Sequence, residues 1–298
     1  MKNLGVRVLS GAVLLALVLA AIWLRGPLLL ALVAVAAVLA AHEFYSIVRR
    51  AGYQPWYPAG LALALLFALR SYIAGDLFAG VAYSGPGVAA EVMAVTLVLV
   101  LAFVRMGAAW ASPGDLPVKD GAELTGRSPY LAWADLGLTL AGAFYTGGLL
   151  GYAPVLASMT ETSTQGDGVA WMLAVLLCTA ACDTGAYFVG SLLGRHKMIP
   201  HISPGKTWEG LGGAVLGAVT AAVALSGILK IQWWEAIILG LLVCAAAVSG
   251  DLCESLLKRA AGVKDSGTII PGHGGVLDRV DSILFVLLAV YWFTIARG

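Results

Sequence analysis

The chain has 298 residues, 60% of them hydrophobic and only 12% charged, with a net charge of +1. Soluble domains carry about 25% charged residues, so the composition excludes an ordinary water-soluble protein and points to several membrane spans. The net charge by itself names no partner.

Nine apolar stretches are long enough to cross a bilayer: 8–24, 28–48, 58–75, 87–106, 132–157, 169–192, 211–230, 235–257 and 277–296. Open sheets cannot span lipid, so all nine are predicted helices. The expected fold is all-α, a polytopic membrane protein of about nine transmembrane helices. Lys2 and Arg7 precede the first stretch as in a signal peptide. The second stretch begins after only Arg25-Gly26-Pro27, however, so the first is read as a transmembrane helix.

Basic residues accumulate on the cytoplasmic side of membrane proteins. A cytoplasmic N-terminus places 14 of the 18 lysines and arginines inside, leaving Arg25, Arg70, Lys230 and Arg297 outside. The expectation is therefore a multi-pass protein of the inner (plasma) membrane with its site facing the cytoplasm. Residues 1–130 form an N-terminal group of helices with a cytoplasmic loop at 105–130. Residues 131–298 form the chemistry-bearing region, with cytoplasmic loops at 194–210 and 258–276. Little chain remains for a soluble domain, so chemistry falls to helices and loops.

The four cysteines, Cys178, Cys182, Cys244 and Cys253, lie in apolar runs without a CxxC and read as buried hydrophobes. His42 and Glu43 end the second stretch and read as an interfacial pair. Asp183, within the sixth stretch, must face the bundle interior or water. It is either part of a polar site or a helix-packing hydrogen-bond group, and Gly185 and Gly190 beside it allow close helix approach.

The loop 194–210 offers Ser203, Lys206, Thr207 and Glu209. Gly205-Lys206-Thr207 imitates the tail of a Walker A loop, but position 200 is proline where a glycine is required, so a P-loop is rejected. Lys206 and Ser203 either bind phosphate or anchor the loop to anionic lipid.

The densest polar stretch is 255–282, SLLKRAAGVKDSGTIIPGHGGVLDRVDS. Asp251, Ser255 and Lys258 share one helix face with Glu254 at its edge, and Asp278 and Asp281 share a face on the last helix. Two carboxylates about 4 Å apart repel by roughly 4 kcal/mol at an effective dielectric of 20. A structural ion-pair cluster is one reading. An excess of acids over bases favours the other, a divalent cation, and oxygen ligands favour Mg²⁺ held with substrate phosphates. The glycines of 262–275, with Lys264 and the following helix N-terminus, suit a polyphosphate. His273 hydrogen-bonds within this loop or, as the weaker alternative, acts as a base.

These residues resemble the phosphatidate cytidylyltransferases. The family pattern S-x-x-K-R-x(4)-K-D-x(5)-P-G-H-G-G-x-x-D-R-x-D is matched by Ser255, Lys258-Arg259, Lys264-Asp265, Pro271 to Gly275, Asp278-Arg279 and Asp281. A second segment, S-P-x-K-[ST]-x-E-G, is matched by Ser203-Pro204, Lys206-Thr207 and Glu209-Gly210. Asp183 and Asp251 also fall on acidic positions of the family. The likeness covers roughly 178–295, and residues 1–130 are similar mainly in span pattern.

The resemblance implies transfer of cytidylate from CTP to phosphatidic acid, giving CDP-diacylglycerol and pyrophosphate. It implies Asp251 and Asp278 as metal ligands and Mg²⁺ as cofactor, with a second cation left open. Lys258, Arg259, Lys264, Asp265, His273, Arg279 and Asp281 become catalytic candidates. Ser203, Lys206, Thr207, Glu209, Asp183, Ser255, Gly274 and Gly275 become substrate-binding candidates. The implied partners are CTP, phosphatidic acid and membrane lipids, with no nucleic acid and a homodimer left open. A competing class, an ion-coupled transporter, would use Asp183, Asp251 and Asp278 as coupling carboxylates.

Overall fold

The structure, a computed structural model, describes residues 2–77, 129–161 and 166–297. The chain is an all-α polytopic membrane protein. Among the described residues seven helices are long and apolar enough to cross a membrane. The expected nine spans are thus not all seen. The stretch 87–106 and the loop 105–130 lie outside the described residues except for 129–130. The predicted span 58–75 is the helix Tyr57–Leu77, whose described apolar part is shorter than a span.

In chain order the helices are α1 (Lys2–Leu24), α2 (Gly26–Arg50), α3 (Tyr57–Leu77), α4 (Pro129–Ala143), α5 (Tyr152–Ala157), α6 (Gly168–Leu193), α7 (Trp208–Leu229), α8 (Trp233–Ala260) and α9 (Leu277–Arg297). A π-helical turn, Phe144–Gly148, lies between α4 and α5, so these three form one candidate span. The break between α1 and α2 falls at Arg25 and Gly26, both at φ 52°, followed by Pro27.

Two devices set the helices that carry the polar residues. The first is close packing of α6 on α7. A Cβ at Gly185 would strike the backbone of Gly213, and one at Gly217 would strike that of Ala181. Small residues let the two backbones approach, as lipid-embedded helices require. The second is capping. Thr207 caps α7, its hydroxyl accepting from the Gly210 N–H at 3.1 Å. Gln232 and Glu235 form a reciprocal capping box at the start of α8. Lys258 and Arg259 stand in the last turn of α8, where cations suit the helix dipole.

The loop expected at 194–210 is instead a small antiparallel hairpin, β1 (Lys197–Ile199) and β2 (Ser203–Thr207), and α7 begins at Trp208. The four cysteines are free. Cys178, Cys182 and Cys244 are buried and Cys253 is half-buried.

Candidate active site

The hairpin, the ends of α6 and α8, and the start of α9 enclose a cavity of about 480 Å³. Asp183, Lys206, Thr207, Asp251, Lys258, Asp265, Asp278, Arg279 and Asp281 line it. Nine candidates scattered from 183 to 281 are thereby brought to one place. Glu254 lines it too, a residue the sequence reading set at the edge of the acidic face.

The two lysines are engaged with the carboxylates. Lys206 reaches from β2 to Asp251 at 2.9 Å and to the Val248 carbonyl at 3.4 Å. Lys258 bonds Asp278 at 2.8 Å and also pairs with Glu254 one turn back on α8. Ser255 donates to Asp251 at 3.2 Å. Charge is nevertheless unbalanced: Asp183, Asp251, Glu254, Asp265, Asp278 and Asp281 face Lys206, Lys258 and Arg279. Glu254 is 1% exposed, and its Oε1 is buried with no hydrogen-bond partner. A buried carboxylate oxygen without a donor is costly, and a cation would remove that cost.

The other candidates stand outside the cavity lining, each for a visible reason. Arg259 donates to the Ile202 carbonyl at 3.1 Å and so ties α8 to the hairpin turn. Glu209 accepts from the backbone N–H groups of Arg195 and His196 and from the His196 ring at 2.5 Å, fixing the base of the hairpin. Ser203 is a strand partner of Ile199. Lys264 is exposed. His273, a candidate catalytic group, turns away: its Nδ1 lies 3.0 Å from Ser10 Oγ on α1, and its carbonyl accepts from Arg279 at 2.8 Å. The expected hydrogen bond of the His273 side chain within the loop is thus replaced by one to a distant helix.

The glycine-rich loop also differs from expectation. Two of its N–H groups, and the two that open α9, are already engaged by carboxylates of the chain. The Gly275 N–H donates to Asp278 at 2.9 Å, and the Ser266 N–H donates to Asp278 at 3.1 Å. The Val276 and Leu277 N–H groups donate to Glu43 at 3.0 and 2.8 Å. Gly274 and Gly275 thus shape the loop around internal anions, with Gly274 at φ 88°. Glu43 is no interfacial residue: it is 2% exposed. Local sequence offered one clue, a carboxylate inside an apolar helix, which demands a partner.

Among the described residues no three His, Cys, Asp or Glu side chains converge as a ready metal cage. Mg²⁺ usually takes one or two carboxylates together with substrate phosphates, so the oxygen-rich donor set and the unpartnered Glu254 oxygen fit such an ion.

Fold and site together define a multi-pass membrane protein with an acidic, lysine-bearing cavity at one end of its bundle. The cytidylyltransferase family model matches residues 5–296, and the chain belongs to that family. The match extends well beyond the 178–295 region where the motifs stand. The phosphatidate cytidylyltransferase of Mycobacterium tuberculosis (strain ATCC 25618 / H37Rv) is 42% identical over 120 residues, 40% of this chain and 36% of that protein. That of Staphylococcus saprophyticus is 44% identical over 126 residues, 42% of this chain and 48% of its own length. An uncharacterised Escherichia coli (strain K12) protein, YnbB, is 39% identical over 145 residues, 48% of each chain. The matched stretch spans less than half the length of each of these relatives.

Proposed function

We propose that the protein is an integral-membrane phosphatidate cytidylyltransferase that joins CTP and phosphatidic acid to give CDP-diacylglycerol and pyrophosphate. The observation that carries this reading is the cavity, where the matched motif residues of β2, α8 and α9 gather with a surplus of carboxylates. Family membership and the relatives' names support it.

The lipid phosphate oxygen attacks the α-phosphorus of CTP, and pyrophosphate leaves. A phosphomonoester has its second pKa near about 6 and is mostly a dianion at neutral pH. It needs no general base, which suits a cavity that His273 does not line. Catalysis then consists of positioning two anions and offsetting their charge. Asp251 and Asp278 would hold Mg²⁺, which would supply positive charge to the phosphates. Lys206 and Lys258 would turn from the carboxylates, and Arg279 from the His273 carbonyl, to the phosphate oxygens. Thr207 and Asp183 border the same space from the α7 and α6 sides.

The cavity faces the cytoplasm of an inner-membrane protein, in line with the bias of basic residues. Its α6 wall includes Tyr187, 70% exposed and followed by the exposed Phe188. The acyl chains of the lipid stay in the bilayer along this apolar face while CTP arrives from water.

The test uses purified protein in lipid–detergent micelles. CTP and phosphatidic acid with Mg²⁺ are expected to yield CDP-diacylglycerol and pyrophosphate in equal amounts, with ATP giving no liponucleotide. Absence of CDP-diacylglycerol from protein that is folded and saturated with both substrates would contradict the reading.

A further inference from the structure

The carboxylate of Glu43, 2% exposed, is a buried polar contact between the N-terminal helices and the motif region. It comes from α2, which the sequence reading assigned to a separate N-terminal group. Oε1 accepts from Val276 N–H at 3.0 Å, and Oε2 accepts from Leu277 N–H at 2.8 Å and from Ser266 Oγ at 3.0 Å. The first free N–H groups of α9 and a side chain at the other end of the loop thus meet on one anion. A carboxylate at a helix N-terminus is favourable on dipole grounds as well.

The loop is built around this group. A Cβ on Gly267 would collide with the Glu43 carboxylate, and a Cβ on Gly275 would collide with both Glu43 and Ser266 Oγ. Two glycines of the loop therefore make room for a side chain of α2. Ser266 relays the contact onward. Its Oγ, donating to Glu43, accepts from the Asp278 N–H at 3.3 Å, and its own N–H donates to the Asp278 carboxylate at 3.1 Å.

We infer that Glu43 is a positioning residue for the reaction: through Ser266 and the α9 N-terminus it fixes the loop that orients the Asp278 carboxylate. This inference rests on the proposed function for its kinetic arm and on the hydrogen bonds alone for its structural arm. Glu43 touches no wall of the cavity, so it acts only through its neighbours. Residues that hold a metal-binding group in place typically contribute 10–100-fold to activity.

The substitution Glu43→Gln keeps the shape but sets an amide NH₂ against N–H donors. Hydrogen–deuterium exchange of the detergent-solubilised full chain is expected to show roughly 10-fold faster exchange within 264–280, with peptides of α6 and α7 unchanged. The kcat is expected to fall about 10–100-fold while KM for CTP stays within about 3-fold. Ser266→Ala is expected to give the same localised pattern at smaller amplitude, which keeps the test decisive if Glu43→Gln folds poorly. Glu235→Gln, the capping carboxylate at the other end of α8, serves as control and leaves 264–280 unchanged. Unchanged exchange in 264–280 in both Glu43→Gln and Ser266→Ala would overturn the inference, as would faster exchange spread evenly over the chain. An unchanged kcat in a Glu43→Gln protein with a loosened loop would also overturn it. If the wild type makes no CDP-diacylglycerol, the proposed function fails, and the exchange arm still decides whether Glu43 holds the loop.

Discussion

At the end of the bundle where α1 meets α2 and α8 begins, each described acid has a base. Arg25 pairs with Asp167, Lys230 with Glu161 at 2.7 Å and Arg297 with Glu235 at 2.7 Å. At the opposite end six carboxylates share a cavity with three cations, and a buried oxygen of Glu254 has no partner. Both ends place charge at helix termini beside the membrane. Only the second is out of balance. Paired charges at helix ends are explained by the fold they fasten. A surplus of one sign costs stability, because like charges repel and a buried charge demands a partner. On the proposed function, the surplus is where a cation and phosphates would bind, and the balanced end shows what ordinary fastening looks like.

The largest expected difference between the ends is accessibility. A cysteine at Glu161 should react with an impermeant thiol reagent added to intact cells, and one at Lys264 should react only after the membrane is opened. Labelling of Lys264→Cys alone in intact cells would reverse the assigned orientation.

Turnover should separate the ends next. Asp251→Asn and Asp278→Asn are each expected to lose on the order of 10²-fold or more in turnover, since metal charge stabilisation is worth several kcal/mol. Their stabilities should differ. Asp251 is 40% exposed beside Lys206, and such a pair is worth only about 0–1 kcal/mol, so its Tm should hardly move. Asp278 is 9% exposed, pairs with Lys258 and accepts backbone N–H groups. Its replacement should lower Tm in detergent through unsatisfied donors. Equal Tm values would show that the Asp278 contacts contribute nothing to the fold.

Lys206→Met should fall in between. Hydrogen bonds to charged groups are worth about 1.5–3 kcal/mol, or roughly 10–100-fold in turnover. Steady-state kinetics with varied CTP and phosphatidic acid would tell which substrate Lys206 serves. Tyr187→Lys is expected to raise KM for phosphatidic acid several-fold and leave KM for CTP unchanged; a change confined to CTP would move the lipid path away from α6. At the balanced end, Glu235→Gln should lower stability by about 1 kcal/mol through a weakened cap and leave turnover unchanged.

Much of this was legible in the sequence, because spans announce themselves by length and apolarity. The helix Gly168–Leu193 departs by one residue at each end from the span read at 169–192. The acidic faces of α8 and α9 were legible from helical spacing, and the motif led to Lys206 and Thr207 across a long separation. What was not legible depended on contacts between distant segments. Nothing near Glu43 says that its partners lie more than 220 residues away. The glycines of 267 and 275 looked like room for a polyphosphate because a sequence does not show which anion fills the space. His273 was expected to hydrogen-bond within its loop and became a catalytic candidate only through the family resemblance, whereas the turn at Gly272 and Gly274, both at positive φ, sends its ring to Ser10 on α1. The hairpin was missed because Lys197–Ile199 and Ser203–Thr207 are too short and too polar to show strand alternation. Glu254 was seen but set aside, since only burial reveals that one of its oxygens lacks a donor.

The central claim is that the surplus carboxylates hold a divalent cation with the nucleotide. Mn²⁺ can stand in for Mg²⁺, and its binding to the purified protein can be followed by electron paramagnetic resonance with a non-hydrolysable CTP analogue. The account predicts saturable Mn²⁺ binding that the analogue tightens, that Mg²⁺ displaces, and that Asp251→Asn and Asp278→Asn each weaken at least about 10-fold, with Glu235→Gln binding as the wild type does. Mn²⁺ binding that is indifferent to both aspartate substitutions would contradict it.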